Sequence, residues 1–275
     1  MLVKLRQYLA NLCAVILLCI SYSGDAVPSF ATSKVNTIEI SAGEWPPFLS
    51  ESLPEQGVIA HLIRDVFAQA NIKVNFTFLP WGRAYHDTQK QKYAATAVWM
   101  FEKERTNHFL FSDAVLNERF VFFHLQSRPF DWQSVNDLKG LILGGGLAYS
   151  YGAEFDKALE DEIFEISRVN SSVQNFKRLS MNRIDVFAEE QSVGYHVLNN
   201  ELADIANTIT HHPKPLLINQ SFLLFPKDGE KSQQLLSIFN QQLAQFKKDG
   251  RYQSYFNGLD RGDYRPAQTQ SDDEP

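Results

Sequence analysis

A chain of 275 residues, 44% hydrophobic and 21% charged, has the composition of a folded protein and room for one large domain or two ordinary ones. Its formal net charge of −6 makes nucleic acid and anionic lipid poor partners, because both repel an acidic surface. Both cysteines, Cys13 and Cys19, lie near the N-terminus, so the body of the protein must be stabilised by an ordinary core and not by disulfides.

The first segment carries Lys4 and Arg6, an apolar run from Leu9 to Ile20, and the small-residue sequence Ser29-Phe30-Ala31. This is the order of a secretory signal peptide, and the run is too short to span a bilayer. Residues 1–31 are expected to be cleaved off after Ala31, with Ala26 as the second choice. Cleavage removes two cations and one anion and leaves the mature chain in the periplasm. Leu18 stands before Cys19 where a lipoprotein needs a small residue.

The stretch TIEISAGEWPPF begins as a strand, with Ile38 and Ile40 on one face, and breaks on Pro46 and Pro47. Proline donates nothing to a ladder, so Trp45 and Phe48 are held at a strand end, lining a cleft or plugging the core. Val58, Ile59, Leu62, Ile63, Val66 and Phe67 then recur at helical spacing, with Asn71 as a C-terminal cap. VNFTFLP alternates as a second strand ending at Pro80. A short helix follows from about Arg83. AATAVWM is apolar on both faces, as a buried parallel strand is. EKERTNHF is a helical turn and RFVFFHLQ a further strand. Strand and helix alternating in this way give a parallel sheet with right-handed crossovers.

The rhythm then restarts. VNDLKGLILGGGLAYSYGAEFDKALED reads as strand, Gly-rich turn and helix. Ser171 and Gln174 are placed for a capping box on the next helix, followed by the strand Ile184 to Ala188 and another helix. SFLLFPKDGE is a strand and turn, and SQQLLSIFNQQLAQFKKDG a long amphipathic helix ending on Gly250. The polar segment from Arg261 is expected to be disordered.

Several weak motifs fall in one order: aromatic-Pro-Pro-Phe, Gly57 with Asp65, Pro80-Trp81, an E-R and an F-S-D, DLKG, R-I-D and KKDGRYQSYF. Together they resemble the type 3 extracellular solute-binding proteins, the polar amino-acid group of ABC-transporter binding proteins, over roughly residues 36–258. The resemblance implies an α/β fold of two lobes joined by two crossing strands, the type II periplasmic-binding-protein fold. The implied lobes are 32–125 with 221–258, and 126–220, leaving 259–275 as a disordered tail. The crossings would lie near His124 to Arg128 and Ile218 to Phe222.

The resemblance also implies site residues. Trp45 and Phe48 would pack on the ligand. Arg105 stands where the family has the Arg that forks a ligand carboxylate, but Glu102 replaces a Thr one turn earlier and can pair with it. Arg83 is the reserve donor. Glu190 aligns with the acid that takes an ammonium, although the same place in a helix favours acids anyway. Tyr149 and Ser150 belong to the Gly-rich turn, whose backbone N–H groups can hold an anion. Trp81 and Trp99, at strand ends, would widen the cleft with rings, although each alone is an ordinary core residue. The implied function is capture of a small polar solute (an amino acid or a related amine or organic acid) and its delivery by a monomer to an inner-membrane ABC permease. No cofactor or metal is expected: His211-His212-Pro213 has no third ligand at a metal-site spacing, and Gly144-Gly145-Gly146 lacks the Gly-Lys-Ser/Thr ending of a phosphate loop. Arg261-Gly262-Asp263 is a chance tripeptide. With no Gly-x-Ser-x-Gly elbow and no mature cysteine, the chain reads as a binder and not an enzyme. The alternatives are a lyase acting on a small cyclic acid through Glu102 or Glu190, and a ligand-sensing partner of a membrane receptor.

Overall fold

The computed structural model describes residues 36–147, 149 and 151–266. The expected signal peptide, both cysteines, Ser150 and the end of the tail lie outside the described residues.

Strand β1 (Asn36–Ala42) lies between β2 (Ile72–Phe78) and β3 (Ala95–Met100) and runs parallel to both. Helix α1 (Val58–Ala68) crosses from β1 to β2, and α2 (Trp81–Gln89) from β2 to β3. All six periodic apolar residues of α1 are fully buried. Each such side chain contributes roughly 1.5–3 kcal/mol by leaving water. Gly57 starts α1 at φ 93°, and a Cβ there would meet the Phe48 carbonyl oxygen at 2.5 Å, so only glycine fits. Asn71, two residues past the helix cap, takes the left-handed conformation at φ 56°. Helix α2 begins two residues earlier than expected, on Trp81, because the Pro80 carbonyl accepts from Arg83 and Ala84 N–H.

After a 3₁₀ turn (Lys103–Asn107) and the short β4 (Phe109–Phe111), β5 (Leu116–Leu125) runs into the second half. There β6 (Ile142–Gly146) lies parallel to β7 (Glu165–Val169) and β8 (Val186–Glu190). Helices α3 (Ala153–Glu160), α4 (Ser172–Ser180), α5 (Gln191–Glu201) and α6 (Ala203–Ala206) and the short β9 (Ile209–His211) complete this half. The chain returns along β10 (Leu217–Pro226), and α7 (Ser232–Lys248) brings Phe239 against Phe67 of α1 at 5.2 Å. Among the described residues the strands form one curled sheet in the order β2-β1-β3-β10-β5-β8-β6-β7, with β4 on β10 and β9 on β5. The fold is mixed α/β and two-lobed. Strand β3 is apolar on both faces as expected, although its second neighbour, β10, is antiparallel.

Strand β5 serves both halves. It pairs with β10 over Leu116 to Phe120 and with β8 over Phe120 to Phe123. The exchange at Phe120 lies upstream of the crossing expected near His124 to Arg128. The two-residue period of the strand sends Phe120 and Phe122 to one core of the second half, and Val121 and Phe123 to another on the opposite face of the sheet.

Two local expectations are corrected. Ser171 is the N-cap of α4 but makes no side-chain cap bond; its neighbour Ser172 is the engaged one, donating to Glu189. A reciprocal capping box occurs instead at Ser134 and Asp137. The tail expected to be disordered from residue 259 continues as α8 (Arg251–Arg261), and beyond it Tyr264 is buried. The lone aromatic of that polar segment folds back onto α1, where its hydroxyl meets His61 Nδ1 at 2.9 Å.

Candidate functional site

The parallel strands of both halves deliver their carboxyl ends to one cleft, the place where ligands bind open α/β sheets. At the end of β1 the prolines make a tight turn in which Trp45 N–H donates to the Leu49 carbonyl at 2.7 Å and Leu49 N–H returns to Trp45 at 3.0 Å. The two rings pack on each other at 4.8 Å, and the part-buried Trp45 lines the cleft while Phe48 lies beneath it in the core at 1% exposure. At the end of β2, Trp81 lies over Gly43 so closely that a Cβ on the glycine would meet the indole at 2.2 Å. At the end of β3, Trp99 meets Trp81 edge-on at 5.3 Å and Tyr85 at 5.2 Å. Its indole N–H is fixed by the Thr96 hydroxyl at 3.1 Å. From the second half come Leu147 and Tyr149 after β6, and Phe120 of β5. The cleft encloses about 1000 Å³, at the upper end of the roughly 300–1,000 Å³ usual for small-molecule sites.

The charged groups are few. Arg105 is mostly buried and already engaged: its guanidinium lies 5.0 Å from the centre of the Trp99 ring, donates to the Met100 carbonyl at 2.6 Å, and pairs with Glu102 at 2.9 Å. The Glu102 substitution noted in the sequence therefore neutralises the arginine from within. Glu118 of β5 is the acid at the bottom of the cleft, 1% exposed. Ser221 of β10 donates its hydroxyl to Glu118 Oε1, while Oε2 is buried without a hydrogen-bond partner. Burial pushes this carboxyl above the usual range, against the stabilising pull of the Ser221 hydroxyl and the Asn219 side chain. The Tyr149 hydroxyl is raised by burial first, and then by the nearby charges of Glu189, Tyr151 and Glu118.

Five of the nine expected residues thus meet in the cleft: Trp45, Trp81, Trp99, Arg105 and Tyr149. Phe48 does not; the turn that exposes Trp45 buries it. Arg83 points outward, with its side chain 67% exposed and an ion pair to Asp87 at 3.6 Å. Ser150 lies outside the described residues. Glu190 does not face the cleft. It is the N-cap of α5, taking Val193 N–H at 2.9 Å and Arg119 N–H at 3.4 Å, and burial pushes it up to about 8. Beside it Glu189 is pushed up to about 7, again by burial. The strand expected to end at Ala188 runs on to Glu190, which places both acids inside the protein. His211 meets the Tyr195 hydroxyl and His212 meets Asp131, and no metal-binding cluster occurs among the described residues.

Glu118 lies one residue before the expected strand RFVFFHLQ, because β5 begins earlier, at Leu116. The signal is present: in Leu116-Asn117-Glu118-Arg119-Phe120 the period of two puts Glu118 on the same face as two buried apolar residues.

Comparison with known proteins agrees with this architecture. The ligand-binding core of GluR0 from Nostoc punctiforme in complex with L-glutamate is similar at TM-score 0.62 and 17% identity, over 81% of this chain and 98% of that one. An ancestral arginine-binding protein bound to arginine is similar at 0.63 and 18%, over 82% and 98%. A histidine kinase sensor domain with similarity to periplasmic binding proteins is similar at 0.64 and 12%, over 81% and 95%. No curated protein matches the chain in sequence. The family model of the bacterial extracellular solute-binding proteins, family 3, matches residues 40–258, and with that match the chain belongs to this family of solute-binding proteins.

Proposed function

We propose that the protein captures a small polar solute in the cleft between its lobes and hands it to an ABC-type permease. The observation that carries this reading is the cleft itself, walled by tryptophans from three strand ends and closed from the other side by Tyr149. Trp45, Trp81, Trp99, Arg105 and Tyr149 are the expected ligand contacts that remain, and Glu118 joins them. In this reading the first lobe runs to the exchange at Phe120 and takes up the chain again after β10, including α8 and Tyr264, and the second lobe lies between. The working form is a periplasmic monomer that begins near Thr32, and an intact mass retaining residues 1–25 would overturn that. Solute capture is tested by a thermal-shift screen over amino acids, amines and small organic acids. A true ligand raises the melting temperature, and stability grows with the logarithm of its excess over Kd. A folded protein that none of them stabilises would count against the reading. The two alternatives differ in consequence: a lyase would convert a cyclic acid to product on incubation, and a sensor would bind solute without stimulating any permease.

A further inference from the structure

We infer that the solute is an organic cation without a carboxylate, an ammonium or guanidinium on an apolar body, whose charge is taken by Glu118 and whose body lies among the surrounding rings. This rests on the solute-binding reading above and names the ligand class for the same cleft.

Three observations converge. The first is Glu118. Its Oε2 is buried with no hydrogen bond of good geometry, only the Asn219 side chain lies near enough to act on the carboxylate beside Ser221, and an N–H donor entering the cleft would complete it. The second is the balance of charge. The cleft is lined by Glu102, Glu104 and Glu118 against Arg105, and Arg105 is already matched by Glu102 at 2.9 Å. Glu118 is left without a counter-charge, and Glu189 is close enough to Tyr149 to act on its hydroxyl in the same sense as Glu118. A ligand carboxylate entering here would meet acids at the bottom of the cleft and a guanidinium whose charge is already answered. The third is the wall. Trp45, Trp81, Tyr85, Trp99, Phe120 and Tyr149 line the cavity, and ring faces attract cations because their quadrupoles are negative there. Trp99 already holds one cation in this way, the guanidinium of Arg105 at 5.0 Å.

Three matched pairs test the inference on protein purified after expression of the full chain: agmatine with L-arginine, cadaverine with L-lysine, and choline with glycine betaine. Each pair differs chiefly by the carboxylate. Calorimetric titration should show at least one carboxylate-free member binding ten or more times tighter than its partner. Glu118→Gln, which keeps the shape and loses the charge, should weaken that binding at least tenfold, and more than Arg105→Ala does. Tighter binding of the carboxylated members overturns the inference, as does a folded Glu118→Gln protein that binds like the wild type. If Glu118→Gln does not fold, the pair comparison on the wild type decides alone. If no cation binds but amino acids or organic acids from the wider screen do, solute capture stands and the cation assignment fails. If nothing binds to the folded protein, both fail.

Discussion

Glu190→Gln separates a helix cap from a ligand contact. The amide keeps one oxygen for Val193 N–H, gives up the acceptor of the longer bond from Arg119 N–H at every pH alike, and cannot ionise. In the wild type, burial raises this carboxyl from 4.5 to about 8. The folded state then holds a proton that the unfolded state has released, so stability attributable to Glu190 is complete below about 4.5 and is lost as pH rises through about 8. The limiting slope is about 1.4 kcal/mol per pH unit. Between pH 5 and 8 the wild type should therefore lose about 2–4 kcal/mol relative to Glu190→Gln. Taking the difference between the two proteins removes the opposing contribution of His196 and His211, whose values are lowered by burial and which favour the folded state more as pH rises. The assay is urea unfolding of both proteins at pH 5, 6, 7 and 8. Parallel stability curves for the two proteins would refute the reasoning. Solute affinity should stay within about twofold of wild type, since Glu190 faces α5 and not the cleft; a tenfold loss would restore it as a ligand contact.

Gly43→Ala places a methyl where the Trp81 indole now lies at 2.2 Å, so the ring must leave its wall position. Overpacking of this kind costs about 1–3 kcal/mol, and solute binding by calorimetry should fall with it; unchanged binding would show that Trp81 is not a contact. Leu62→Ala empties a fully buried position between α1 and the first sheet and should cost about 2–5 kcal/mol in denaturant unfolding; a loss under about 1 kcal/mol would mean that the core collapses around it. If the lobes close on the solute, small-angle scattering should give a smaller radius of gyration in its presence; an unchanged radius with binding confirmed would count against closure.

The fold was legible because its signals are local and repeated. The helical spacing in α1, the alternation in β2 and the glycine after α7 each act within one element, and each element formed within a few residues of its expected place. The cleft was legible in part. Trp45, Trp81 and Trp99 follow strand ends, and strand ends in this topology converge. What a linear pattern cannot carry is which ring of a packed pair is the outer one, as Trp45 is over Phe48, or the partner that a charged group finds. The sequence leaves Arg105 open to a ligand or to Glu102, and in this structure it pairs with Glu102 at 2.9 Å. At Glu190 a helix start explains an acid as well as a binding site does, and the structure has the helix start. Tyr264 was lost because composition averages over a segment, while a single aromatic can anchor it.

The two strands that pass between the halves are also bonded to each other. Glu118 lies opposite Asn219, and its carboxylate takes the hydroxyl of Ser221 across the gap. The connection is therefore a ribbon and not a pair of independent strings. A hydrogen-bonded ribbon twists and flexes readily but resists stretching or sliding along its length. A swing of the halves about it would leave its form intact. Glu118 is fastened to that spindle, so if the walls close, the acid at the foot of the cleft stays put, and whatever settles against it is centred before they do.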